Sequence, residues 1–152
     1  MSEEKIFDDI VDRLRKRHLA VIQESFIHYA IFFVKGKIMS IGECYKIKHP
    51  NKYSYHAEHT GLRNFIKFNS YKNILNKNDK INILVLRFTK SGILSNSRPC
   101  ENCILRLLKC KLNINKIYYS DNNKNIICEK LNKMYDNPIT KLSSGFRKNE
   151  NY

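Results

Sequence analysis

The chain has 152 residues and a 42% hydrophobic share, enough for one domain with a buried core. No apolar run reaches the roughly 18 residues of a transmembrane helix. A formal net charge of +14 points to polyanionic partners such as nucleic acid or phosphorylated substrates.

The N-terminal stretch "MSEEKIFDDIVDRLRKRHLA" is charged and amphipathic. It lacks the apolar centre and cleavage site of a secretory signal, so the expected location is intracellular, cytoplasmic or nuclear. Apolar residues at Ile6, Phe7, Ile10, Val11 and Leu14 predict a helix over 3–23, acidic early and basic late, as the helix dipole favours. "RLRKRH" (Arg13 to His18) is the densest basic cluster, and a solvated helix face explains it as well as a nucleic-acid patch does. The basic residues are otherwise scattered. Lys, Asn and Ile are abundant together, as AT-rich coding sequence produces without selection for binding, and this plainer origin of the charge is the preferred one.

The period then changes. His28 to Val34 and Lys37 to Cys44 read as a hairpin turning at Lys35-Gly36, its apolar residues suited to a core or to a subunit interface. "IKHPNKYSY" reads as a loop broken by Pro50. A helix is expected from Tyr55, with Ala57, Leu62, Phe65 and Ile66 on its apolar face and Gly61 weakening it by about 1 kcal/mol. Ile81 to Thr89 is the clearest buried strand. "KSGILSNSRP" is a loop, and a helix starts near Pro99 and runs through "CENCILRLLKCKL". Asn115 to Ser120 is a strand, "NIICEKL" a possible further one, and about 143–152 a tail. Strands separated by helices predict a single α/β domain over 1–152, built as a three-layer α/β/α sandwich.

The chemistry lies in two helix starts. His56, Glu58 and His59 fall in "HAEH", and Cys100 and Cys103 in "PCENC". The five cysteines are odd in number and irregular in spacing, which does not suit a disulfide framework; Cys44, Cys110 and Cys128 read as buried small apolar residues. Residues i and i+3 share a helical face, so Cys100 and Cys103 can present both sulfurs to one ion. With His56 they make three zinc ligands and leave a fourth position for water, the pattern of a catalytic site. Glu58 stands close enough to exchange a proton with that water. Two alternatives stay open. His59 could complete a closed Cys2His2 structural zinc, or "CENC" could be a dithiol unrelated to the histidines.

"HAE" at 56–58 joined to "PCENC" at 99–103 resembles the signature of the zinc-dependent cytidine and deoxycytidylate deaminase superfamily. The order of elements extends the resemblance over most of the chain. It implies a cytidine-deaminase-like fold with a central mixed sheet of about five strands and both motif helices on one face. It also implies His56, Cys100 and Cys103 as zinc ligands and Glu58 as the general acid/base. Zinc-bound hydroxide would attack C4 of cytosine, giving the uracil form and ammonia, with attack at C6 of adenine as a variant.

Substrate contacts are less marked. Arg98 could meet a substrate phosphate and Tyr53 or Tyr55 could stack on a base, though packing is the plainer role for the tyrosines. "HTGLRNF" departs from the small apolar run that many members carry after the motif glutamate. "SSGFR" at 143–147 could bring hydroxyls and a cation near the site. Without the longer aromatic insertions of polynucleotide deaminases, a free cytosine nucleoside or nucleotide is favoured. The alternatives are a deaminase of single-stranded DNA or RNA, and a non-catalytic binding or structural protein. A homo-oligomer, dimer or tetramer, would suit this superfamily.

Overall fold

The computed structural model describes residues 3–20, 26–46, 54–72 and 78–137. In β1 (Phe26–Val34), Tyr29, Ile31 and Phe33 face one side and Ala30, Phe32 and Val34 the other, and all six are buried. β5 (Ile81–Thr89) repeats the pattern, with Ile83 and Val85 opposite in direction to Leu84 and Leu86. Strands covered on both faces carry continuous apolar runs of this kind. β2 (Lys37–Glu43) returns along β1 through Lys35 and Gly36, whose φ values of 52° and 77° are the left-handed pair a two-residue hairpin needs. β6 (Ile114–Ser120) lies parallel to β5, and β7 (Ile126–Lys130) antiparallel to β6. The sheet is mixed and five-stranded, ordered β2-β1-β5-β6-β7.

Helix α1 (Glu3–Ala20) covers one face, packing Phe7, Ile10, Val11 and Leu14 on the Tyr29 side of the sheet. Helices α2 (Ala57–Lys72), α3 (Glu101–Lys109) and α4 (Leu131–Met134) cover the other. This is the expected three-layer α/β/α architecture, with both motif helices on one face. The parallel β5–β6 pair requires a crossover, and α3 supplies it. α2 lies unusually close to the hairpin at its first turns. A Cβ on Gly61 would stand 2.6 Å from Phe32 Cε1, and one on Gly42 2.6 Å from Gly61 Cα. The glycine that weakens the helix locally is what lets it seat on the sheet. At Gly61 the departure at "HTGLRNF" is therefore a packing feature.

Several local expectations are corrected. The end of the expected 47–55 loop forms β4 (Ser54–Tyr55), which pairs with β3 (Tyr45–Lys46) just before that loop, so α2 starts at Ala57 instead of Tyr55. Ile66 is 45% exposed, because one residue past buried Phe65 the helix has already turned its side chain outward. α3 ends at Lys109, short of Leu112. Cys110 turns extended (ψ 154°), and Leu112 and Ile114 then pack against the core on the way into β6. The apolar hairpin divides by strand: β1 is core, while Ile38 and Ile41 of β2 are exposed at the sheet edge. Cys44 and Cys110 are half-buried and Cys128 is exposed, so Cys128 is no core residue. Tyr53, His49 and the "SSGFR" segment lie outside the described residues. Among the described residues no helix is long and apolar enough to cross a membrane.

The "RLRKRH" cluster is spent within its own chain. Arg13 and Lys16 pair with Asp9 and Asp12 one turn earlier, each at 3.1 Å, and Arg17 reaches Glu43 at 2.8 Å. Arg15 donates to the Gly92 carbonyl, and buried His18 lies 2.7 Å from the Thr89 carbonyl. These contacts support the helix-face reading of the cluster.

Candidate metal centre

The two motif helices bring their starts together over the sheet. The His56 carbonyl accepts from the Thr60 N–H at 3.1 Å and from the Thr60 hydroxyl at 3.2 Å, which places the His56 ring at the mouth of α2. Cys100 caps α3 in extended conformation (φ −72°, ψ 165°), its carbonyl accepting from Ile104 N–H at 3.0 Å. Cys103, one turn on, is fully buried. A serine lock sets the approach to Cys100. The buried Ser97 hydroxyl donates to the Val85 carbonyl at 2.7 Å and accepts from the Ser120 N–H at 2.8 Å; the Ser120 hydroxyl donates to the Ser95 carbonyl at 2.7 Å. The loop before "PCENC" is thereby tied to β5 and β6.

His56 Nδ1 lies 3.1 Å from Cys103 Sγ and 3.6 Å from Cys100 Sγ, and the three ligand atoms fall within 4.8 Å of one another. Zinc–sulfur and zinc–nitrogen bonds of about 2.3 and 2.0 Å imply tetrahedral edges of about 3.5 to 3.8 Å. The donor set therefore fits: a borderline-soft ion finds two sulfurs and one imidazole at close to coordination spacing, and His56, Cys100 and Cys103 can hold a metal ion. His59 is not part of the group. Its ring stacks on His56 at 5.7 Å between centroids, 23° from parallel, and its Nε2 is buried with no hydrogen-bond partner. The dithiol alternative fares no better, since His56 sits directly against both sulfurs.

Electrostatics follow from burial and contact. A hydrogen bond from Cys103 and contact with His56 hold the Cys100 thiol down at about 4. The same hydrogen bond, and burial, push Cys103 well above the usual range. The bond to Cys100 raises His56 against the effect of burial. Glu58, in the first turn of α2, is only 5% exposed, and desolvation raises its carboxyl above the ordinary value. Cys103 Sγ donates to Glu58 Oε2 at 3.7 Å, so the carboxyl faces the cluster from within.

Of the two expected substrate contacts, Arg98 is directed elsewhere. Its side chain is 5% exposed; Nε donates to Glu129 Oε2 at 2.9 Å, and Nη2 reaches Glu129 Oε1 and the Met134 carbonyl, each at 3.4 Å. Tyr119 and Asn137 also donate to Glu129, at 2.7 and 2.8 Å. The guanidinium thus ties the motif loop to β7 and α4. Tyr55 pairs through its backbone with Tyr45, just before His56. A third group, left unassigned by the sequence, stands beside the cluster. His28 of β1 is register partner to Arg87 of β5, and burial, Arg87 and His56 hold its imidazole down at about 4. Only pairing between strands 59 residues apart could have located it.

No family model matches this sequence, and no curated protein matches it. Among solved structures, the fold is similar to a cytidine deaminase from Burkholderia pseudomallei, with a TM-score of 0.55 and 12% identity over 82% of this chain and 93% of that one. A dCMP deaminase from the cyanophage S-TIM5 aligns with a TM-score of 0.49 and 16% identity over 80% and 86% of the two chains. The chain has a cytidine-deaminase-like fold.

Proposed function

We propose that this chain is a zinc-dependent hydrolytic deaminase that converts a cytosine nucleoside or nucleotide to the uracil form and releases ammonia. The observation that carries the reading is the buried Glu58 carboxyl set against a three-ligand His56, Cys100, Cys103 group. Three protein ligands and an adjacent acid suit an open, working site better than a closed structural one. Zinc held there supplies the Lewis acidity that brings a coordinated water toward a pKa of about 7.

The chain's own groups divide the remaining work. Glu58 would take a proton from the attacking water and give it to the ring nitrogen next to the reacting carbon, then take the proton of the newly added hydroxyl and give it to the departing amine as the carbonyl forms and the C–N bond breaks. Its raised affinity for protons, caused by burial, suits a group that must be base and acid in one cycle. The Glu58 carboxyl lies 3.7 Å from Cys103 Sγ and so faces the ligand group. Ser97 and Ser120 hold the Cys100 loop at fixed height above the sheet, so the ligand set is assembled before substrate arrives.

Ammonia release from cytidine, CMP, dCMP and dCTP by the zinc-loaded protein tests the proposal. Turnover of at least one is expected. Stoichiometric zinc without turnover of any would leave a polynucleotide substrate or a binding role in its place.

A further inference from the structure

The sheet floor beneath the metal group changes character in one step. Alternate residues of a strand share a face. On the face covered by α2 and α3, the register therefore sets rows of side chains across β2, β1 and β5. One row is Gly42, Ala30 and Val85, which are small, apolar and buried. A Cβ on Gly42 would meet the Ala57 carbonyl, so the first residue of α2 stands over this row, directly after His56. Two residues along, the next row is Cys44, His28 and Arg87. His28 is register partner to Arg87, and its carbonyl accepts from the Cys44 N–H at 3.1 Å. This polar row lies toward the carboxyl end of β5, from which the chain leaves for Cys100. Open α/β sheets hold their ligands at the carboxyl ends of the strands.

An imidazole on a covered sheet face costs desolvation that an apolar side chain would not. His28 is half-buried, and burial, then Arg87 and His56, hold it down at about 4, so the ring is neutral near pH 7. Cys44 and Arg87 are engaged within the chain, whereas among the described residues no hydrogen bond reaches the His28 ring. A perturbed, half-open titratable group beside a metal cluster is a mark of a working site. We propose that His28 is a substrate-contacting, specificity-determining residue, its ring hydrogen-bonding an uncharged polar group of the pyrimidine nucleoside from the sheet floor. The inference rests on the deaminase reading for the class of ligand. A neutral imidazole carries one donor and one acceptor, so a base carbonyl suits its N–H and a sugar hydroxyl suits either nitrogen.

Nuclear magnetic resonance of the zinc-loaded, 15N-histidine-labelled protein tests this. The chain has five histidines, and the His28 ring signals are the ones that vanish in His28→Gln. Uracil, uridine, UMP and dUMP serve as probes, since they carry the carbonyl or hydroxyls in question and are not consumed. At least one is expected to shift the His28 ring nitrogens. A shift with uracil assigns the contact to the base, and a shift only with the nucleoside or nucleotides assigns it to the sugar. His28→Phe should weaken binding of that probe by about tenfold, and His28→Gln, which keeps a donor and an acceptor, should stay within about threefold of wild type. Zinc content and unfolding midpoint separate these effects from loss of fold. A shifted His28 in a protein that releases no ammonia from any cytosine compound upholds the contact and refutes the deaminase reading. Ammonia release with His28 signals unmoved by every probe, or a folded His28→Phe that binds as wild type, overturns the inference and leaves the deaminase reading standing. Failure of all four probes to bind overturns it as well.

Discussion

At the scale of single residues, one helical turn separates two histidines with different work. His56 lies against both cysteines, whereas His59 stacks behind it with its ring outside the ligand group. Outer partners of a metal ligand are worth about 10–100-fold in affinity, and a ligand itself at least as much. His56→Ala or Cys103→Ala is therefore expected to lose zinc by more than tenfold, and His59→Ala to keep full stoichiometry. Competition with a chelator measures both, and loss of zinc in the His59 variant would restore the closed-site alternative. These residues were legible in the sequence because metal and proton chemistry is written in short spacings, i to i+2 and i to i+3, that survive without the rest of the fold. Arg98 was legible only as a position. Its partner Glu129 lies 31 residues away, and nothing local announces that the guanidinium reaches β7. His28 and the Ser97–Ser120 lock were hidden for the same reason.

At the scale of elements, hydrophobic period located the sheet strands and the three longer helices, and failed where tertiary contact overrules propensity. Gly61 is the sharpest case. By helix propensity alone Gly61→Ala should stabilise by about 1 kcal/mol. The added Cβ would press into Phe32 and the β1 backbone, with Ala30 O at 3.2 Å, and overpacking of this kind costs about 1–3 kcal/mol. Net destabilisation is expected in urea unfolding, with some loss of zinc affinity because α2 carries His56. A stabilised variant would mean that the helix can lift from the hairpin without cost. The end of α3 and the short α4 escaped notice for a complementary reason. The four residues of α4 offer little periodicity, and the core contacts of Leu112, Leu131 and Met134 decide where both helices stop.

At the scale of the molecule, Arg13, Lys16, Arg17, Lys35 and Arg98 all engage acidic groups of their own chain, pairs that leave the net charge of +14 itself unchanged. The Arg98–Glu129 pair is the one most shielded from solvent, and it joins the motif loop to the far edge of the sheet. Burial pushes the Glu129 carboxyl up, but hydrogen bonds from Arg98, Tyr119 and Asn137 outweigh it and hold the group below the usual Glu range. A depressed folded-state value means stability that is fully present above the unfolded pKa and is lost as pH falls through the folded one. The stability difference between wild type and Glu129→Gln should accordingly be largest near about pH 7 and shrink toward about pH 3. Denaturant titrations at several pH values check this, and a gap that does not change with pH would dissociate Glu129 from the effect. The assignment of zinc-dependent deamination is tested most directly by following cytosine-to-uracil conversion in wild type and Glu58→Gln matched for zinc content. Conversion by wild type and a loss of about 10²-fold or more in the variant is the predicted result; equal rates in the two proteins, or no conversion by zinc-loaded wild type on any cytosine nucleoside or nucleotide, would contradict it.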